Sequence, residues 1–284
     1  MHKIKLITDT TSDLSPDLIE AHQITMVPLY VNFKEETYRD LFELNPKNMY
    51  DLVQKKGFLP KTAAASPGDF YNVFKEYLAE GYEIIYTGIG GNFSASLTSA
   101  NTAKKMLDST KIHLVDSQNL SSGSGLLVLK AAKFRSEGDS AEMIVKKLEA
   151  IRSRVRSQFV IDTLEYLYKG GRLNALSAFM GTMLRIKPII KVHNGLMAVG
   201  KKPRGNIRIG IDLMIRELLE LEDRVDEDFL MITHSLADEQ AVYIKQELAK
   251  HNLKIKHIYE TAAGCVISSH CGKGTIGILY IEKE

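Results

Sequence analysis

The chain is poor in cysteine, in net charge and in long apolar runs, and each shortage excludes something. Only Cys265 and Cys271 occur in 284 residues. Two cysteines cannot build a disulfide framework, so both are expected to be free thiols in a reducing, cytoplasmic setting. Lysine and arginine total 37 against 35 acidic residues, a formal net charge of +2. No global field draws in nucleic acid, and any basic surface has to be local. No apolar run reaches the length of a membrane span, and the starting stretch MHKIKLITDTTS lacks the unbroken apolar core of a signal peptide. Cys265, His270 and Cys271 lie close together without a second pair at metal-ligand spacing, so no metal site is expected.

What is present is an ordinary globular composition, 44% hydrophobic, long enough for two domains. The first half alternates β-rich runs with helical patterns. KIKLIT (Lys3 to Thr8), ITMVPLYVNF (Ile24 to Phe33), YEIIYT (Tyr82 to Thr87) and KIHLVD (Lys111 to Asp116) read as strands, with Pro28 placing an edge or bend in the second. SPDLIEAH, PKNMYDLVQKK, SPGDFYNVFKEYLAEG, SASLTSANTAKKMLD and SSGSGLLVLKAAKFR read as helices, the last with an apolar face. Ser15–Pro16 and Ser66–Pro67 each pair an N-cap with a first-turn proline. Such alternation implies a largely parallel sheet covered by helices.

Beyond Gly138 the pattern is mixed. A charged helix, SAEMIVKKLEAIRSRVR, leads into QFVIDTL; the Asn194–Gly195 pair between apolar runs signals a hairpin; DFLMITHS and TIGILYIE read as strands around the helix LADEQAVYIKQELAK. The expected fold is α/β in two domains. Residues 1–156 form an α/β/α unit with a mostly parallel sheet, and residues 157–284 form a mixed-sheet unit, the boundary lying near Arg156.

GIGGNFSASLTSA (Gly88 to Ala100) joins a strand to a helix through small residues. It is not a dinucleotide fingerprint, because Phe93 stands where the third glycine belongs, and no GxxxxGK[ST] run exists. A hydrolase elbow on Ser94 would need glycine at 92 and 96, where Asn92 and Ser96 stand. Two readings remain for Ser94: a cap for its own helix, or a hydroxyl offered to a carboxylate or phosphate at the helix N-terminus. His270 reads equally as a structural ring or a ligand contact, and the other histidines as ordinary. Asp9, Asp13 and Asp116 at strand ends fit capping and turn chemistry.

ITDTTSDLS (Ile7 to Ser15), KTAAASPGDF (Lys61 to Phe70), the serine loop, LEYLYKGGRLN (Leu164 to Asn174) and GCVISSHCGKGTIGI (Gly264 to Ile278), in this order, resemble the DegV family of bacterial fatty-acid-binding proteins. The resemblance spans nearly the whole chain. It implies a carrier, not a catalyst: a long-chain fatty acid is held in a buried tunnel and its carboxylate is presented to a separate ATP-dependent fatty acid kinase that makes an acyl phosphate. It implies that Thr62, Ser94 and His270 hold the carboxylate, with no cofactor. It also implies that Arg172 and Arg204 lie on the face that meets the kinase or, transiently, an anionic membrane. The chain departs from the family pattern at Ala63 to Ala65, which lack neighbouring hydroxyls, at Ala95 and Ser96 in the SGT positions, and at Lys273 in place of proline.

Elementary energetics fit that division of labour. About fifteen methylenes at about 0.8 kcal/mol each offer roughly 12 kcal/mol before ordering costs. A carboxylate drawn inside has to keep its hydrogen bonds, and hydroxyls supply them without the bidentate grip of an arginine, which would dull the attacking oxygen. Ile89, Phe93, Met180 and Met183 are expected near the tail. Two other classes stay open: a hydrolase or acyl transferase using Ser94 with His270, and a DNA-binding module. Aromatic residues do not interleave with the basic stretches SRVRS and GKKPRGNIR, which disfavours the second.

Overall fold

The computed structural model describes residues 3–172 and 186–283. In the first half β1 (Ile4–Asp9), α1 (Pro16–Ala21), β2 (Thr25–Val27), β3 (Tyr30–Phe33), β4 (Glu36–Arg39), α2 (Pro46–Lys56), β5 (Lys61–Ala63), α3 (Pro67–Ala79), β6 (Glu83–Gly88), α4 (Ser96–Leu107) and β7 (Ile112–Asp116) follow one another. Then come α5 (Ser122–Ser136), α6 (Ala141–Ile151), β8 (Val155–Val160), α7 (Glu165–Lys169), β9 (Ile189–His193), β10 (Leu196–Val199) and α8 (Ile207–Glu220). The chain continues through β11 (Val225–His234), α9 (Asp238–Leu248), β12 (His257–Ala262), α10 (Cys265–Cys271) and β13 (Ile276–Glu282).

β2, β1, β6 and β7 form a parallel sheet in that order. Successive residues of β6 serve opposite faces: Ile84 and Tyr86 join the cluster with Phe70, Phe74, Ala100 and Ala103, while Ile85 joins Leu127 and Ile144. Helices α3 and α4 therefore cover one face and α5 and α6 the other. The helix starts are locally encoded. Ser66 and Asp69 make a reciprocal capping box on α3, Asp69 N donating to Ser66 Oγ at 3.2 Å and Ser66 N to Asp69 Oδ2 at 2.7 Å. Ser15 likewise caps α1.

Pro28 divides ITMVPLYVNF between two sheets. β2 stays in the parallel sheet, whereas β3 turns away to pair antiparallel with β4 and β5 in a three-stranded sheet. The second large sheet is mixed, in the order β10-β9-β8-β13-β11-β12; only β11 and β12 run parallel. Arg156 lies on β8 of this sheet. The Asn194–Gly195 turn joins β9 to β10 as the sequence implies.

α5 differs from its sequence reading. It is buried on every side from Ser122 to Ala132, not along one face, because it lies between the two large sheets, touching β1 and β6 on one side and β11 and β13 on the other. Both sheets thus share one apolar cluster running from Leu6 and Ile85 through Leu126 and Leu129 to Met231 and Leu279. The far face of the mixed sheet packs on α8 and α9 through Leu230, Ile232, Met214 and Ile244.

Candidate functional site

Three segments distant in the chain meet beside α10. Thr62 is the middle residue of β5, paired with Val31 of β3. His270 is the penultimate residue of α10, and its Nε2 lies 2.8 Å from Thr62 Oγ1. Ser94 precedes α4 by two residues, after a loop in which the amides of Phe93 and Ser94 donate back to Gly90 O. The N-cap position itself falls on Ala95, which has no capping side chain; Ser94 Oγ accepts from Ser96 N at 3.3 Å and bonds Ser96 Oγ at 2.9 Å. Ser94 thus serves the first helical amide and also faces a cavity.

That cavity, of about 160 Å³, is lined by Thr62, Ser94, His270 and Arg172 together with apolar side chains that include Leu29, Phe93, Leu120, Phe159 and Ile267. Leu120, Phe159, Ile267 and Cys271 also border a deeper chamber of about 40 Å³, where Leu279 and Gly277 of β13 form a wall. In the opposite direction Phe93, Ser94, Arg172 and Met197 also line an open recess of about 500 Å³ at the surface. The arrangement is a polar neck between an apolar interior and an outer opening. Among the described residues the cavity wall carries no acidic group.

Burial drives the His270 pKa down to about 4, and the nearby Arg172 guanidinium adds to the effect, so the ring is neutral at neutral pH. Its Nδ1 is buried and has no hydrogen-bond partner among the described residues. A bare acceptor is tolerated in burial better than an unpaired N–H, which favours the tautomer protonated on Nε2. Nε2–H then donates to Thr62 Oγ1, and the Thr62 hydroxyl hydrogen is left to point at a ligand oxygen. Gly170 permits this placement: a Cβ there would stand 2.1 Å from Nδ1.

Thr62, Ser94, His270 and Arg172 are therefore gathered around one cavity, and Ile89 and Phe93 line it as well. Arg204 is exposed and does not line it. Met180 and Met183 lie outside the described residues. Sequence reading missed Leu29, Leu120, Phe159, Met197 and Ile267, because each is an apolar residue indistinguishable from core until five separate segments are brought together. A serine hydrolase needs its base on the nucleophile, but His270 bonds Thr62, while Ser94 bonds Ser96. His234, Asp238 and Glu260 also cluster. There His234 Nδ1 accepts the Ala237 amide, so the neutral ring carries its proton on Nε2, toward Glu260 Oε1 at 3.3 Å, while Lys245 pairs with the other carboxylate oxygen.

The comparisons with known proteins bear on family and fold. The sequence matches the DegV family, described as uncharacterised, over residues 3–283. A DegV domain-containing protein of Clostridium acetobutylicum is 34% identical across 100% of both chains. A fatty-acid-binding DegV family protein from Thermus thermophilus superposes with a TM-score of 0.91 at 31% identity, covering 99% of each chain. A stearic acid-binding protein from Eubacterium ventriosum superposes with a TM-score of 0.88 at 26% identity, covering 100% of this chain and 99% of that one. With a family match over essentially its full length and an α/β architecture shared with these structures, the chain belongs to the DegV family.

Proposed function

We propose that this protein is a non-catalytic carrier that binds a long-chain fatty acid. The tail runs from the cavity into the deeper apolar chamber, and the carboxylate rests on Thr62, Ser94 and His270. The observation that carries the reading is the polar neck itself: two hydroxyls, a neutral imidazole and the Arg172 guanidinium on the wall of an otherwise apolar space that, among the described residues, has no acidic wall residue. The two hydroxyls donate to a buried carboxylate, and the imidazole, whose Nε2–H goes to Thr62, fixes the direction of that hydroxyl, while the tail supplies the affinity.

The neck opens on the outer recess, so the head group faces outward and the tail inward. That polarity suits delivery. We read the protein as presenting the carboxylate to a separate ATP-dependent kinase for acyl-phosphate formation, with Arg172 and Arg204 on the docking face. Ligand exchange at an anionic membrane uses the same basic residues, each contributing about 1 kcal/mol near such a surface. Association with anionic vesicles is then weakened by added salt, and salt-independent association would count against it.

The direct test is extraction of the purified protein with organic solvent and mass analysis of the extract. One fatty acid per chain is expected. A folded protein that yields none, and that takes up neither a saturated nor an unsaturated long-chain acid when offered one, sinks the reading.

A further inference from the structure

The stretch Asp9 to Asp13, DTTSD, consists of five consecutive polar residues that are all at most 1% exposed. Burying so many polar groups is costly unless they are partnered; Ser12 Oγ has no partner among the described residues, and the partners of the others form a pattern. Asp9 Oδ2 accepts from Ile89 N at 3.1 Å and from the Tyr86 hydroxyl at 2.8 Å, while Oδ1 accepts the Thr11 amide at 3.1 Å and the Thr11 hydroxyl. Ile89 opens the loop that ends in Ser94, and at Gly88 a Cβ would stand 2.1 Å from Asp9 Oδ2, so the loop is drawn tight against this carboxylate. Asp13 Oδ1 accepts from Gly264 N at 2.8 Å, the amide that begins the helix carrying His270, and Oδ2 accepts from Ser121 Oγ. Thr10 Oγ1 accepts from Leu29 N at 3.2 Å, one residue ahead of the strand that pairs with Thr62.

One buried turn thus reaches all three segments that contribute to the polar neck. We propose that Asp9 and Asp13 are positioning residues: through the Ile89 and Gly264 amides they hold the Ser94 loop and the His270 helix in register, with Thr10 tying in the Leu29 end of β3. This inference rests on the head-group role of Thr62, Ser94 and His270 argued above. None of the turn residues lines the cavity or the deeper chamber, so their effect on a ligand is transmitted through these contacts, Ser121, which bonds Asp13, being the one partner that borders the chamber.

The two carboxylates differ in what an amide can replace. All four partners donate to Asp9, but the Tyr86 and Thr11 hydroxyls can turn to accept, so an asparagine opposes only one backbone amide and can keep its oxygen on Ile89 N, whereas alanine removes the tie outright. At Asp13 an asparagine keeps its oxygen on Gly264 N and turns its NH2 to Ser121 Oγ, which can accept. The readout is the ratio of affinities for a long-chain fatty acid and its methyl ester, measured on lipid-stripped protein; the ester keeps the tail but lacks the anionic head. Asp9→Ala and Asp13→Ala are expected to lower this ratio about tenfold with ester affinity little changed, whereas Asp13→Asn retains it. A general loss of stability would weaken acid and ester together. Folded Asp9→Ala and Asp13→Ala proteins with the unaltered ratio overturn the proposal. Thr62→Ala and Ser94→Ala separate the two ideas: if they leave the ratio unchanged, the head-group reading itself fails. If a variant does not fold, hydrogen exchange on the unsubstituted protein decides. Because coupling is reciprocal, the acid has to protect the Ile89 and Gly264 amides more than the ester does, and equal protection overturns the proposal.

Discussion

Thr62 and His270, 208 residues apart in the chain, bring Oγ1 and Nε2 to 2.8 Å across the mouth of an apolar cavity. The contact joins the smallest sheet to a helix of only seven residues. Neither element has much stability of its own, since a three-residue strand and a two-turn helix are marginal in isolation. The geometry of this contact is therefore a product of tertiary packing.

Thr62→Ala and Ser94→Ala are expected to separate delivery from storage. Removing one hydroxyl leaves the tail burial intact, so affinity for the fatty acid falls by no more than several fold, while the proposed acyl-phosphate formation with a separate kinase falls about tenfold or more. Paired binding and turnover assays check this. Equal losses in both would mean that the hydroxyls act on affinity alone.

His270 should give the lipid-free protein an acid-side weakness. Its folded pKa of about 4 lies below the unfolded value of 6.5, so the unfolded chain binds the extra proton as pH falls between these values. Stability is full above about 6.5 and declines toward pH 4 by about 3 kcal/mol. Asp40 opposes this: burial raises its pKa to about 6, so its contribution is present at low pH and lost as pH rises through that value. The difference between urea denaturation of the unsubstituted protein and His270→Asn across this range isolates the histidine. A difference independent of pH would contradict the burial argument. The same ring predicts proton uptake when an anionic ligand binds near pH 5.5, since a nearby carboxylate raises the pKa of a histidine.

Lys130 is an ion-pair hub in the middle of the fold. It is 5% exposed, and its Nζ lies 2.7 Å from Asp226 and 2.6 Å from Asp228, joining α5 to the first turns of β11. Burial alone would raise the Asp228 pKa, but the ammonium groups of Lys130, Lys133 and Lys256 outweigh it and hold the carboxyl well below its usual range. Lys130→Ala takes the innermost of three ammonium partners from Asp228, leaving Lys133 and Lys256, and is expected to cost about 1 to 3 kcal/mol at pH 7. The loss should shrink only well below pH 4, where Asp228 becomes protonated in the folded protein. Chemical denaturation at the two pH values measures it.

Much of this architecture could be read from local signals. Pro28 marked a break that proves to be a change of sheet; the Asn194–Gly195 turn and the Ser66 capping box lie where their residue types put them. β4, β5, α7, α8, β12 and α10 were not read; α8 begins at the end of the stretch GKKPRGNIR, which was read only for its charge, and α7 is five residues long. β5 is three residues long, β12 is an edge strand with polar residues such as Glu260 and Thr261, and α10, CVISSHC, is too short to show a helical period. The site was legible only at its polar corners. Thr62, Ser94 and His270 stood out through family resemblance, since no sequence spacing brings them together. The apolar wall had no signature, and Asp9 and Asp13 passed for ordinary turn residues because their partners, Ile89 and Gly264, are backbone amides in remote segments.

Cys271 offers a reporter of cavity occupancy. Burial pushes its thiol pKa up to about 12, so little thiolate exists at neutral pH, and charged alkylating reagents are expected to react slowly with the native protein. It nonetheless lines both the cavity and the deeper chamber, whereas Cys265 lines neither. A lipophilic maleimide should therefore label Cys271 in stripped protein, label it much more slowly when fatty acid is bound, and leave Cys265 untouched until unfolding. Peptide mapping distinguishes the two thiols. Labelling indifferent to the lipid would mean that the acyl chain lies elsewhere.

Gly170→Ala tests the head-group site without altering any ligand-facing side chain. Gly170 has φ −76°, a backbone conformation that alanine adopts freely, so the substitution introduces no backbone strain. Its new methyl group would stand 2.1 Å from His270 Nδ1 and 3.0 Å from Tyr166 O. The ring is the freer of the two neighbours, because Nδ1 has no hydrogen bond to give up, and it has to rotate away from Thr62. The expected result is a folded protein, destabilised by about 1 to 3 kcal/mol. Its preference for a fatty acid over the methyl ester should fall about as far as in His270→Asn, while uptake of the ester is retained. A Gly170→Ala protein with full acid preference would show that the imidazole can shift without consequence, and would remove His270 from the set of groups that hold the carboxylate.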